Sequence, residues 1–92
     1  MLHQHGRRRA KDTKFKIVKK YIDEMDYYAL LAGGAPENEF DMESEEISRQ
    51  IHAKSDVGEI AKVIAQVFEK NFGEHADVQR FLLVAEKIQE DL

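Results

Sequence analysis

Apolar residues recur along this chain every three or four positions, and the recurrence breaks at only a few places. Phe15, Val18, Tyr21, Ile22 and Met25 share one face of a helix, while Lys14, Lys16, Lys19 and Lys20 cover much of the rest. Asp12 or Thr13 caps its start, and the helix should stop near Met25. Asp26 then caps a short turn through Tyr27, Tyr28, Ala29 and Leu30, with Leu30 and Leu31 dropping into the core. The Gly33 and Gly34 pair breaks that turn, because glycine reaches left-handed geometry without a Cβ penalty. Pro36 cannot extend a helix interior but suits the first position of a turn.

A second helix is expected after Asp41, whose carboxylate is placed to accept first-turn amides. Glu43, Glu45 and Glu46 add charge that favours the positive end of the helix dipole. Ile47 and Ile51 face the core, and His52 or Lys54 ends the helix. Ser55 caps a third helix whose apolar surface is wide: Val57, Ile60, Ala61, Ile64, Ala65, Val67, Phe68 and Phe72. That breadth predicts the most buried element of the fold, stopped by Gly73. A fourth helix carries Val78, Phe81, Leu82, Ala85, Ile88 and Leu92. No alternating β-branched run is long enough for a strand. The expected fold is all-α, a small bundle of about four helices with a structured Gly/Pro elbow between the first two. Asp26, Gly33, Gly34, Pro36 and Phe40 build that elbow.

Residues 1–11 lack the apolar pattern and read as a disordered basic arm, leaving 12–92 as one helical domain. A chain of 92 residues buries only about 60–68% of the surface it exposes when unfolded, so its core is thin. It is therefore expected as a monomer or a weak homodimer. An apolar content of 42% beside 35% charge separates it from disordered chains. There is no cysteine, which excludes a disulfide framework and fits a cytoplasmic setting. No stretch approaches the apolar length of a membrane span. The net charge of −4 hides a division: residues 1–20 carry +7, and the remainder carries −11. An acidic body attracts basic partners and repels nucleic-acid backbones.

The alternating acids Glu37, Glu39, Asp41, Glu43 and Glu45 invite a calcium reading, which fails on position. An EF-hand loop opening at Glu37 would need glycine at its sixth place and a bidentate carboxylate at its twelfth, where Met42 and Ser48 stand. Gly33, Gly34 and Pro36 do not form a phosphate loop, since acids follow in place of the Lys-Ser/Thr ending. His3 and His5 lie on the arm without fixed geometry, and His52 and His75 sit near helix boundaries without a nucleophile that spacing selects. No catalytic, cofactor-binding or metal-ligating set is assigned. Arg7, Arg8 and Arg9 with the neighbouring lysines could neutralise phosphates in a salt-sensitive way. No helix pairs arginines with base-reading polar groups, so specific nucleic-acid recognition is disfavoured.

The elbow resembles the short bacterial all-α domain-of-unknown-function family 1871. The likeness is carried by Met25, Asp26 and Tyr27, by Leu30 and Leu31, by Gly34, Ala35, Pro36 and Glu37, and by Phe40, Asp41, Met42 and Glu43. Downstream, Ile60, Ala61, Ile64, Phe68 and Phe72, then Val84, Ala85 and Ile88, fit the family's last two helices. Tyr27 stands where the family has proline, and Met25 where it has an aromatic residue. The resemblance implies the all-α fold and no activity, since none is assigned to the family.

Two functional readings follow. The first is a non-enzymatic interaction module that binds a basic protein partner through Glu37, Glu39, Asp41, Glu43 and Glu46. Small acidic immunity proteins offer an analogy in size and charge. The alternative is a small-ligand or enzyme-like pocket at the elbow, lined by Tyr27, Tyr28, Leu31 and Phe40.

Overall fold

α1 spans Leu2–Met25, α2 Asp41–Gln50, α3 Val57–Phe72 and α4 Leu82–Asp91, with a 3-10 turn at Val78–Phe81 leading into α4. The computed structural model describes the backbone of residues 2–27 and 30–92, and the side chains of those segments from Thr13 onward. Among the described residues there is no strand, and the fold is all-α. α1 begins at Leu2, well before the cap expected at Asp12 or Thr13. The side chains of the arm lie outside the described residues.

Neighbouring helices touch in a closed order: α1 packs on α2 and α4, and α3 packs on α2, on the 3-10 turn and on α4. α3 supplies the largest share of the core, burying Ile60, Ala61, Ile64, Ala65, Val67 and Phe68. α1 adds Val18 and Ile22, α2 adds Ile47, and α4 adds Val84, Ala85 and Ile88. Lys14 Nζ donates to the carbonyl of Ile51 at 2.8 Å, which occupies an acceptor at the end of α2 and ties that end to α1.

The elbow is held by its two ends. Tyr27 and Phe40 are both buried, and their rings enter one aromatic cluster with Phe68, Phe72 and Phe81. Tyr27 lies 4.6 Å from Phe68 between ring centroids, and Phe40 lies 5.9 Å from the same ring. The Arg80 guanidinium covers the Tyr27 ring at 4.7 Å. Just before the first anchor, Asp26 adopts φ +49°, a left-handed conformation that Asp and Asn tolerate better than most residues. Its carboxylate accepts from the amides of Leu31 at 2.7 Å and Ala32 at 3.0 Å, so it does cap the turn, but farther along than its immediate neighbours. Of the two glycines, Gly34 carries the left-handed geometry, at φ +103°.

Three local expectations are corrected. Asp41 does not cap α2: it is the first helical residue, its carboxylate accepts from Lys19, and Phe40, whose side chain has no acceptor, holds the cap position. Ser55 does not cap α3 either. Asp56 accepts from the amide of Glu59 at 2.8 Å and Glu59 reaches back to the amide of Asp56, a reciprocal capping box. Ser55 is buried one residue earlier, accepting from the amide of His52. The fourth helix is divided, since Val78–Phe81 wind as a 3-10 turn opened by Asp77. The tighter winding keeps Phe81 inside and rotates Leu82, expected on the core face, to 37% exposure. Gly73 ends α3 at φ +73°, as its sequence position implies.

Candidate interaction surface

The five acids expected to form one face separate into different environments. Lys19 explains much of the division. Its ammonium donates to Asp23 Oδ2 at 2.8 Å, to Asp41 Oδ1 at 2.7 Å and to the Glu37 carbonyl at 3.0 Å. One cation thus fastens α1 to the last residues of the elbow and the first of α2. The hydrogen bond to Asp23, followed by that to Asp41, raises the pKa of Lys19 despite some burial. Asp41 is therefore a positioning residue and not a free acid.

Glu46 is also engaged. It meets Lys70 of α3 at 2.8 Å, and that hydrogen bond lowers its pKa against an opposing effect of burial. Glu37 stays exposed at the side chain, and Glu39 is half-buried. Glu45 is exposed one turn along, beside Arg49 at 3.3 Å.

Glu43 is different from all of these. The residue sits on α2 at 7% exposure, and Oε1 is buried without a hydrogen-bond partner among the described residues. Burial pushes its pKa up, the chain's own backbone amide opposes the shift, and the charges of Glu39 and Glu46 add to it. A carboxylate buried with an unmet acceptor is costly to the fold. Asp23 Oδ1 and Ser44 Oγ are likewise buried and unpartnered among the described residues.

The alternative site at the elbow takes another form. Tyr27 and Phe40 are core residues whose rings meet the aromatic cluster at tilted and edge-on angles, and Leu31 is half-buried. Tyr28 lies outside the described residues. His52 and His75 are both exposed, with His75 Nδ1 4.0 Å from Glu69. Among the described residues, no group of three or more His, Cys, Asp or Glu is arranged to hold a metal ion. Among them, too, no helix is long and apolar enough to cross a membrane.

Sequence reasoning located the acids but missed the cation that organises them. The spacing of Lys19 and Asp23 is an ordinary helical pair, readable from sequence. Nothing in the sequence says that the same ammonium reaches Asp41. Comparison of the chain with protein-family models, with curated proteins and with solved structures found no match.

Proposed function

We propose that this chain is a non-enzymatic interaction module that receives a basic protein partner where the elbow meets α2. The reading rests on Glu43, a nearly buried carboxylate with an unpartnered oxygen and two further carboxylates raising its cost. Oε1 itself is enclosed, so a cation brought by a partner to this rim acts on Glu43 through its field and offsets the charge that the fold leaves uncompensated. Glu39 acts on Glu43 through charge, Glu37 lies exposed at the end of the elbow, and neither forms an ion pair among the described residues, so both steer such a cation toward this rim. Asp41 and Glu46 hold the surface in place through Lys19 and Lys70. Small acidic immunity proteins, which neutralise basic toxins, offer an analogy in size and charge alone. Membership of family 1871 is proposed on the elbow residues and adds no activity.

A titration followed by amide NMR tests the reading, with a lysine-rich helical peptide of defined sequence as the probe. The expected result is saturable one-to-one binding with shifts concentrated in residues 37–46. Glu37→Lys with Glu39→Lys should weaken it by about tenfold, since both acids are exposed enough to steer and neither holds the fold together. Glu86→Lys with Glu90→Lys, on the exposed side of α4, is the control for general charge. Equal losses from the two pairs, or shifts scattered over every acidic surface, would refute the assignment.

A further inference from the structure

A second surface lies between α1 and α4, built from residues that the acidic face does not use. A groove of about 200 Å³ opens there, with Tyr21, Glu24 and Met25 on the α1 side and Arg80, Leu83 and Lys87 on the other. Three large apolar side chains stand exposed among the described residues, and two of them, Leu82 and Leu83, are adjacent at the start of α4. Leu83, at the groove's edge, is 66% exposed. Glu24 and Lys87 converge on this groove, yet neither forms an ion pair among the described residues. The Arg80 guanidinium lies over the face of the Tyr27 ring and forms no ion pair among the described residues. The groove thus mixes the apolar Met25, Leu83 and Val84 with charge, and among the described residues its α1 rim carries an unpaired anion and its α4 rim an unpaired cation.

We propose that this groove is a homodimer interface, occupied by the same groove of a second copy of the chain. A two-fold axis running along the groove lays the α1 rim of one copy over the α4 rim of the other, because rotation about that axis exchanges the two sides. Glu24 then faces the Lys87 position of the second copy, and the reciprocal pair forms at the same time. Leu83 from each copy packs against the apolar lining side chains of the other, Met25 and Val84 among them, and leaves the water that it meets in the single chain. The rims are complementary to themselves, and this favours a second copy over a partner of uniform charge. Two acidic bodies repel one another at long range, so the association is weak and depends on these local contacts.

Sedimentation equilibrium of the full chain, from low micromolar to submillimolar concentration, provides the test. The wild-type mass should rise toward twice the monomer value across that range. Leu83→Asp should raise the dissociation constant by more than about tenfold, with helicity by circular dichroism unchanged at so exposed a position. Leu83→Ala, which keeps the helix propensity, should weaken association in the same direction and serves if the aspartate disturbs the fold. Glu24→Lys alone and Lys87→Glu alone should each weaken the dimer by setting like charges face to face. The two together should restore it to near the wild-type constant. A wild-type chain that stays monomeric throughout, a Leu83→Asp chain that associates as well as wild type, or a double charge swap that restores nothing overturns the proposal. None of these variants touches residues 37–46, so the result is independent of the partner-binding reading.

Discussion

Replacing Lys19 with methionine removes the cation that joins α1, the elbow and α2 while keeping most of the apolar stem. The lost contacts are two charge-assisted hydrogen bonds, to Asp23 and Asp41, and one to the Glu37 carbonyl. The side chains of Lys19, Asp23 and Asp41 are 30%, 24% and 40% exposed, between the surface and buried regimes. A fully exposed pair contributes only about 0.2–1 kcal/mol, so the two bridges together amount to about 1–2 kcal/mol here. A second cost comes from what remains. Two carboxylates that touched one ammonium at 2.8 and 2.7 Å stand no more than 5.5 Å apart, now without a counter-ion. At that separation and a near-aqueous dielectric the repulsion is about 1 kcal/mol. The expected total is about 2–3 kcal/mol, or roughly 10–15 °C in Tm for a domain of this size. Urea unfolding followed by circular dichroism measures it, with the slope unchanged if only stability has moved. Adding Asp41→Asn removes the repulsion, and the double variant should regain about 1 kcal/mol over Lys19→Met alone. A loss below about 0.5 kcal/mol, or no recovery in the double variant, would show that the clamp does not hold these elements.

Glu43 binds its proton more tightly folded than unfolded, chiefly because of burial, so stability should fall as pH rises from its ordinary pKa of 4.5 through the folded value. The cost is fully present above that window, and Glu43→Gln should therefore raise the urea midpoint more at about pH 7 than at about pH 4. A midpoint change that is the same at both pH values would contradict the burial argument. Asp26→Ala loses two hydrogen bonds and puts alanine at φ +49°, which should cost about 2 kcal/mol and speed amide exchange at Leu31 and Ala32. Asp26→Asn, which tolerates that conformation and keeps an acceptor oxygen, should cost less than about 1 kcal/mol by the same exchange and unfolding measurements.

The helices were legible because each long segment buries a regular stripe. Val18 and Ile22, Ile47 and Ile51, and Ile60, Ile64 and Phe68 are all buried where their spacing placed them. The stop signals at Met25 and Gly73 were legible too, being set by local backbone chemistry. The caps of α2 and α3 were not. Asp41 and Asp56 are both acids at a helix start, and each could cap its helix by local rules. Asp41 is captured by a lysine 22 residues away in sequence, while Asp56 has Glu59 to complete a box. A competing partner from another element is invisible to a window of a few residues. The same limit explains Leu82, whose side changed because four residues before it wound as a 3-10 turn.

For the acidic surface, sequence gave the positions and packing assigned the roles. Among the described residues, five acids with similar local chemistry became two ion-paired anchors, two rim charges without an ion pair and one nearly buried, unsatisfied carboxylate. What separates them is whether a lysine from another helix reaches them: Lys19 reaches Asp41, Lys70 reaches Glu46, and no cation reaches Glu43 among the described residues. Charge reversal across all five would therefore confound loss of binding with loss of the α1–α2 and α2–α3 contacts. Substitutions at Glu37 and Glu39 separate the two effects, because those side chains form no ion pair among the described residues. If the surface binds, they should weaken capture while leaving the unfolding midpoint near that of the wild type. Glu43→Gln should move both quantities in opposite directions, stabilising the chain and weakening the complex, as expected where an uncompensated charge is kept for a partner.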